Sequence, residues 1–234
     1  MGKGIEIIAE IGHNHNGDVS KGLELIHQAK EAGADVAKFQ LYDVDKITRP
    51  GHMKYYWELK ATQINRDHLA IFNAECERVG IEFMASAFDA ERVDWLEKLG
   101  VKRHKLASSR INDLLLIRAM ENTGKPIIAS LGKWDKAYLP TINGEVDYLY
   151  CVAKYPTLDE DLELFPKTFN RIIGFSDHTI GTKWAKLAMD NGAKIIEKHF
   201  TLDKTMFGTD HQGSCDLKDL KEIVKYARDF TKNN

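Results

Sequence analysis

Two lysines lie within short apolar segments that are candidates for buried strands. Lys38 stands in VAKFQL and Lys105 in RHKLA. Because burying an ammonium group is costly unless it meets an anion, the pair could bind a small molecule that carries both a phosphate and a carboxylate. A salt bridge to a buried glutamate is the alternative for each lysine. Serines near the ends of neighbouring segments would supply hydroxyl donors and favour the anion site: Ser86, Ser108 and Ser130.

Two histidines, His178 and His199, lie where two further apolar segments end. If those segments are adjacent strands, the two imidazoles could share one divalent cation and leave ligand positions open for water and substrate. A lone histidine is more often a structural or surface group, and we assign that role to His27, His52, His68 and His104. For three histidines in predicted loops, lining a site and simple exposure both remain open: His13, His15 and His211.

Two carboxylates, Glu10 and Asp210, are candidates for acid–base chemistry. Either could position or deprotonate a substrate hydroxyl or a water molecule, and act as a general base if partial burial raises its pKa. Glu10 could instead form a salt bridge with one of the lysines, and Asp210 could be a turn residue in FGTDHQG. The sequence leaves the choice between the two carboxylates open.

Short segments rich in Val, Ile and Phe alternate with longer amphipathic segments along the chain. This alternation predicts eight parallel strands joined by crossover helices, a (β/α)8 TIM barrel with its chemistry at the carboxyl ends of the strands. Several helical patterns end on glycine just before a strand, as in AGADVAKF and NGAKII, where glycine can adopt the left-handed conformation. The predicted strands are Ile5 to Ala9, Val36 to Leu41, Ile81 to Ser86, Arg103 to Ala107, Pro126 to Ser130, Asp147 to Val152, Ile172 to Phe175 and Lys194 to His199.

One unit of this pattern is incomplete. The segment between Ser130 and Asp147 has little helical periodicity and contains Pro140 and Gly144. Because proline breaks a helix interior and glycine weakens it, we expect the fifth helix to be a stub or a loop.

Length and composition fit one globular domain over residues 1–234, with 43% hydrophobic and 29% charged residues. The formal net charge of -2 offers no basic excess that would attract nucleic acid or an anionic membrane. The three cysteines form no CxxC pair, which favours a reducing cytoplasm. The apolar runs are too short for a signal peptide or a membrane span.

Longer motifs resemble the catalytic domain of the sialic acid synthase family, which comprises N-acetylneuraminate synthase and relatives that make legionaminic and pseudaminic acids. The motifs are AEIGHNHNGD, KFQ, YP, GFSDHTIG and IEKHFTLDKTMFGTDHQGS, and the resemblance covers almost the whole chain. Five motifs in the family's order, each at a predicted strand end, are far more specific than any one of them alone.

The resemblance implies an enzyme that condenses phosphoenolpyruvate with the aldehyde of an open-chain acylamino sugar such as N-acetylmannosamine. The products are a nonulosonic acid and phosphate. It implies that Mn²⁺ or Mg²⁺ is bound by His178 and His199. It assigns phosphoenolpyruvate contacts to Lys38, Lys105, Ser86, Ser108, Ser130 and Ser176. It places Glu10, Gln40, Tyr155 and Asp210 near the sugar and the attacking water, and the expected catalytic residues are Glu10, Lys38, Lys105 and Asp210.

Some positions depart from the family's pattern. KLASSR stands where the family has KIGSGD, and Ala153 replaces an asparagine before the YP motif. The resemblance covers the barrel without the C-terminal antifreeze-like domain, which in relatives reaches into the partner subunit's site and supplies an arginine to the sugar's acyl group. We therefore expect a different acceptor sugar, a homodimer or a separate protein that completes the site.

Two other functions fit parts of the sequence. The altered loops fit a metal-dependent aldolase or 3-deoxy-keto acid synthase that acts on another aldehyde. The Ala153 replacement fits a catalytically silent barrel subunit of a sugar-synthesis complex. The joint presence of both lysines, both histidines, Glu10 and Asp210 favours the synthase, because a scaffold has no physical need for them.

Overall fold

The computed structural model describes residues 4–51 and 55–233, and its eight parallel strands close into a barrel in the order β1 to β8. The predicted (β/α)8 barrel is confirmed. His52, which the sequence assigns to a structural or surface role, lies outside the described residues. The strands are β1 Glu6–Gly12, β2 Val36–Leu41, β3 Glu82–Ala87, β4 His104–Leu106, β5 Ile127–Ser130, β6 Val146–Cys151, β7 Gly174–Asp177 and β8 Ile195–His199.

Helices pack outside the barrel and connect most of the strands. They are α1 Val19–Ala32, α2 Val44–Ile47, α3 Tyr56–Ala61, α4 Arg66–Val79, α5 Ala90–Leu99, α6 Leu114–Glu121, α7 Lys183–Asp190 and α8 Leu217–Asn233. Within the described ranges, none of these helices combines the length and the apolar character that crossing a bilayer requires.

Two connections lack an α-helix. The segment 131–145 between β5 and β6 is irregular, as the sequence predicts. The connection from β6 to β7 holds only a 3-10 turn, Asp159–Leu162, and this departure was not predicted. Pro156 and Pro166 bracket that turn and restrict its length, because neither proline can sit in the interior of a helix.

The glycine junctions follow the sequence pattern. Gly33 ends α1 in the left-handed region with φ 86°, and its backbone N–H donates to carbonyl groups in the last turn. At the other end of α1, the side chain of Asp18 accepts hydrogen bonds from the N–H groups of Ser20 and Lys21. Both ends of the helix are therefore set by local sequence.

The barrel interior is apolar at one end. Side chains from six strands form a buried cluster at this level: Ile8, Val36, Met84, Ile128, Leu149 and Ile195. We call this cluster the apolar floor. Since alternate residues of a strand point to the same face, Glu10 stands two positions beyond Ile8, and Lys38 two positions beyond Val36, above the floor.

One predicted boundary is wrong in a way that matters for the site. The sequence ends the first strand at Ala9, but β1 continues to Gly12, with an irregular register between Glu10 and Gly12. The longer strand is paired on its other side, where Glu10 lies opposite His199 of β8. Glu10 is therefore part of the barrel wall and not of a loop.

Gly174 of β7 should not tolerate a side chain. A Cβ at this position would lie 2.5 Å from the carbonyl oxygen of Ile195 and 2.6 Å from Cδ2 of Leu149. We expect Gly174→Ala to lower the free energy of unfolding by about 1–3 kcal/mol through overpacking, measured by denaturant titration. Gly4→Ala is the control, because its Cβ would meet Thr231 at an ordinary 3.6 Å. Equal stabilities of the two variants would contradict this account.

Candidate active site at the barrel mouth

A cavity of about 290 Å³ opens at the carboxyl ends of the strands, above the apolar floor. The cavity is lined by all twelve residues that the sequence analysis assigned to the site: Glu10, Lys38, Gln40, Ser86, Lys105, Ser108, Ser130, Tyr155, Ser176, His178, His199 and Asp210. The structure thus brings together residues that are up to 200 positions apart in the chain.

Strand register explains this convergence. Glu10 of β1 is paired with Lys38 of β2 on one side and with His199 of β8 on the other. On the far side of β8, Glu197 lies opposite Ser176 of β7. Residues at matched heights in parallel strands point into the barrel together, so a polar layer forms directly above the floor.

The two lysines are buried and ion-paired. Lys38 Nζ lies 2.7 Å from Glu10 Oε2 and 3.5 Å from Glu197 Oε2. Lys105 Nζ lies 3.5 Å from Glu197 Oε1 and donates a 2.7 Å hydrogen bond to Ser130 Oγ. The salt-bridge alternative is therefore realised, yet both lysines still line the cavity. Glu197 joins the two lysines, and we call Glu10, Lys38, Glu197 and Lys105 the lysine–glutamate network.

Burial and charge act against each other in this network. Burial raises the pKa of Glu10 despite the opposing charge of Lys38. Burial alone would raise the pKa of Glu197 as well, but Lys105 and Lys38 outweigh it and lower that pKa to about 2. Burial lowers the pKa of Lys105, whereas for Lys38 the effect of burial is outweighed by Glu10 and Glu197, which raise its pKa. Glu197 is therefore ionised at neutral pH.

The two predicted metal ligands are adjacent, with ring centroids of His178 and His199 5.5 Å apart. His178 Nδ1 lies 2.7 Å from the carbonyl oxygen of Val152, a contact in which the Nδ1–H donates to the carbonyl oxygen. Burial lowers the pKa of His199, which keeps the imidazole neutral and able to bind a cation. Tyr155 packs over His178 with a centroid separation of 4.0 Å.

These histidines fit a catalytic metal with open ligand positions, and they do not fit a closed structural site. Among residues 4–51 and 55–233, no group of three or more His, Cys, Asp and Glu side chains is arranged to hold a metal ion. A cation held by His178 and His199 would have to take its other ligands from water and substrate.

Asp210 lies at the rim of the cavity beside three imidazoles. Its Oδ2 lies 3.4 Å from His199 Nδ1 and 3.5 Å from His13 Nε2. Burial would raise the pKa of Asp210, but His13, His199 and His178 outweigh it and lower the pKa. Asp210 is therefore an ionised acceptor, whereas Glu10 is the carboxylate with the raised pKa.

The structure distinguishes the three histidines whose role the sequence left open. His13 lines the cavity. His15 and His211 are buried elsewhere: Nδ1 of His15 accepts from the N–H of Gly17, and the ring of His211 is bonded to Thr201 and Asn16. The structural assignments hold for His104, which pairs with Glu97, and for His27, which pairs with Glu75. His68 donates its backbone N–H to Asn65 at the start of α4 and does not line the cavity.

Sequence reasoning did not nominate every residue of the cavity. It missed Glu197, although this residue stands two positions before His199 in one strand and must share its face. It also missed Cys151, whose Sγ lies 3.8 Å from His178 Nδ1, and Lys133. Ala153, the departure from the family pattern, lines the cavity as well.

Comparison with known proteins finds a matching family model and several similar sequences. The model of the NeuB family matches residues 25–234. N,N'-diacetyllegionaminic acid synthase of Legionella pneumophila is 34% identical over 253 residues, which cover 95% of this chain and 71% of that enzyme. An uncharacterized protein of Methanocaldococcus jannaschii is 37% identical over 236 residues, 95% of this chain and 69% of that protein.

A solved structure of N-acetylneuraminic acid synthetase from Leptospira borgpetersenii, in complex with citrate, is 30% identical with a TM-score of 0.90. The match covers 98% of this chain and 85% of that one. The chain belongs to the NeuB family. The predicted membership of the sialic acid synthase family, and with it the predicted class of enzyme, is confirmed.

Glu197→Gln should destabilise the fold, because it leaves one buried lysine charge uncompensated. We expect a loss of about 3–5 kcal/mol at neutral pH. The pKa of Glu197 lies below its ordinary value of 4.5 in the folded chain, so its carboxylate stabilises the fold above about pH 4.5, and this is lost as pH falls toward about 2.

Denaturant unfolding at a series of pH values checks this expectation. The stability difference between wild type and Glu197→Gln should shrink on acidification below about pH 4.5. Glu163→Gln, at an exposed glutamate, should show no such trend. A difference that stays constant with pH would contradict the ionised role of Glu197.

Proposed function

We propose that this chain condenses phosphoenolpyruvate with the aldehyde of an open-chain acylamino sugar, to give a nonulosonic acid and phosphate. Phosphoenolpyruvate-dependent condensation is the chemistry of its family, and the identity of the acceptor is the proposed part. The observation that carries the proposal is the presence of two buried lysines and a set of serine hydroxyls in one cavity with His178, His199 and Asp210.

The anion would be held by groups on the strands. Lys38 already has Ser86 Oγ at 3.1 Å, and Lys105 has Ser130 Oγ at 2.7 Å, so each ammonium group has a hydroxyl beside it. Ammonium and hydroxyl donors together bind phosphate and carboxylate oxygens through charge-assisted hydrogen bonds. A substrate anion would compete with Glu10 for Lys38, whose Nζ lies 2.7 Å from Glu10 Oε2.

The reaction forms one carbon–carbon bond. The electron pair of the C2–C3 double bond attacks the aldehyde carbon, and the aldehyde oxygen takes up a proton to become a hydroxyl. Water adds to C2 and loses one proton to a base, which leaves a hydroxyl and the phosphate ester on C2. This hydroxyl then loses its proton as its oxygen forms the C2=O bond, the C2–O bond to phosphate breaks, and phosphate leaves with that electron pair. Lys38 and Lys105 would stabilise the negative charge of the departing phosphate.

The acceptor would lie nearer to the opening. Tyr155, which is 55% exposed, and Asp210 both line the cavity and the wide groove outside it. Gln40 Nε2 donates to Glu10 Oε1 at 2.9 Å, which leaves the amide oxygen of Gln40 to accept from a sugar hydroxyl. The ionised Asp210 would orient a hydroxyl of the sugar or the attacking water.

His178 and His199 would hold a Mn²⁺ or Mg²⁺ ion at the boundary between the two substrates. Bound there, the ion would supply Lewis acidity toward the aldehyde oxygen. The carbonyl oxygen of Val152 would orient His178 through its Nδ1 atom, a role usual for groups that surround metal ligands. Asp210 Oδ2 lies 3.4 Å from Nδ1 of His199.

Phosphate release tests the function directly. The protein with phosphoenolpyruvate, N-acetylmannosamine and Mn²⁺ should release phosphate, and omission of either substrate should stop the release. Lys105→Met should weaken phosphoenolpyruvate binding about 10–100-fold, since a charge-assisted hydrogen bond contributes about 1.5–3 kcal/mol. Lys154→Met is the matched control, because Lys154 pairs with Asp161 away from the cavity. Activity confined to simple sugar phosphates would instead identify a 3-deoxy-keto acid synthase.

Metal dependence is a separate prediction. Chelation should abolish phosphate release, and added Mn²⁺ should restore it. His178→Ala and His199→Ala should each lose Mn²⁺ binding, measured by electron paramagnetic resonance, because two imidazoles are the only protein ligands proposed. His27→Ala, which alters a surface pair with Glu75, should bind Mn²⁺ like the wild type. Unchanged Mn²⁺ affinity in both site variants would refute the metal assignment.

A further inference from the structure

We infer that Glu58 of α3 is a positioning residue for catalysis: it ties down the loop between β8 and α8 so that Asp210 faces the cavity. The inference rests on the proposed function, in which Asp210 orients the acceptor or the attacking water. Glu58 does not line the cavity, and it borders the wide groove outside the cavity together with Tyr155 and Asp210.

Glu58 accepts two hydrogen bonds from one loop residue. Its Oε1 accepts from the backbone N–H of Thr209 at 2.8 Å and from the hydroxyl of Thr209 at 2.9 Å. The two residues are 151 positions apart in the chain, so the contact joins distant segments. The Glu58 side chain is 12% exposed, and hydrogen bonds to a carboxylate in such a place are stronger than those between neutral groups.

His13 connects a third segment to the same point. Its Nε2 lies 3.2 Å from Thr209 Oγ1, 3.5 Å from Asp210 Oδ2 and 3.8 Å from Glu58 Oε1. The loop after β1, helix α3 and the loop after β8 therefore meet beside Asp210. We call Glu58, Thr209 and His13 the loop tether.

Other contacts hold the loop at either side of the tether. The side chain of Asn16 donates to the carbonyl of Phe207 at 2.9 Å, and the hydroxyl of Ser214 donates to the carbonyl of Asp210 at 2.7 Å. Neither satisfies the N–H of Thr209, which precedes Asp210 directly. Glu58 is thus the group that fixes the backbone at the entry to Asp210, and the Asn16 and Ser214 contacts should keep the loop folded without it.

The structure separates this loop from the anion site. Lys38, Ser86, Lys105 and Ser130 stand on strands of the closed barrel, which do not depend on α3 for their positions. Loss of the tether should therefore impair the step that uses Asp210 and leave phosphoenolpyruvate binding intact. A general loss of stability would affect both.

Glu121 offers a matched control. Its Oε1 accepts from the backbone N–H of Asn143 at 2.7 Å and from the side-chain amide of Asn143 at 3.0 Å. This is the same kind of carboxylate-to-loop contact, but it lies at the end of α6 and just before β6, at the opposite end of the barrel from the cavity.

Glu58→Ala should lower kcat about 10–100-fold, because a displacement of about 1 Å at a reacting group can cost that much. The dissociation constant of phosphoenolpyruvate, measured by calorimetry, should stay unchanged. Glu58→Gln should restore most of kcat, since its amide oxygen can accept both bonds from Thr209. Thr209→Val, which loses the hydroxyl contacts with Glu58 and His13 but keeps the backbone N–H bond to Glu58, should fall between wild type and Glu58→Ala. Glu121→Ala should retain wild-type kcat.

Hydrogen exchange separates failure of this inference from failure of the proposed function. The peptide that contains Thr209 should exchange faster in Glu58→Ala than in wild type or Glu121→Ala. Unchanged exchange would overturn the tether whether or not the protein releases phosphate. Faster exchange with wild-type kcat would overturn its role in positioning Asp210. A wild type that releases no phosphate with any acceptor would refute the proposed function and, with it, the catalytic part of the inference.

Discussion

The lysine–glutamate network is the constraint on which the site depends. Two ammonium groups stand inside a barrel, where an uncompensated charge would be strongly unfavourable. Glu10 and Glu197 compensate them within hydrogen-bonding or ion-pairing distance. Because the charges balance without a substrate, the empty barrel can fold, and because the lysines still face the cavity, they remain available to an anion. The same arrangement serves stability and binding.

The sequence predicts most of the strand positions that carry this network. β2 has the predicted bounds, since VAKFQL is an apolar run that ends where the helical pattern begins. The strand-end rule for barrels then gathers distant polar residues at one mouth, which is why residues from Glu10 to Asp210 line one cavity. The strand pattern places Gln40, Tyr155 and Ser176 at predicted strand ends, and the family motifs added their expected roles in substrate binding.

The features of the fold and the site that the sequence did not predict depend on contacts between distant segments, which no local sequence pattern encodes. Glu197 was missed because its role depends on ion pairs with Lys38 of β2 and Lys105 of β4, which the sequence of β8 does not show. Strand alternation alone placed it on the same face as His199. His15 and His211 sit in motif loops like His13, yet only tertiary packing decides which ring points into the cavity. The absence of an α-helix between β6 and β7 follows from Pro156 and Pro166, and the sequence did not reveal how far these two prolines would shorten this connection. The contact between Glu58 and Thr209 joins segments too far apart for any pattern to reveal.

The apolar floor has a kinetic consequence for the site above it. Because the apolar floor closes the cavity at its base, molecules would reach its inner end from the carboxyl ends of the strands, past its outer part. In the proposed function, a reactant held by the lysines would sit innermost and would have to bind before the reactant that contacts Tyr155 and Asp210. The outer reactant would then hinder release of the inner one and favour reaction over dissociation.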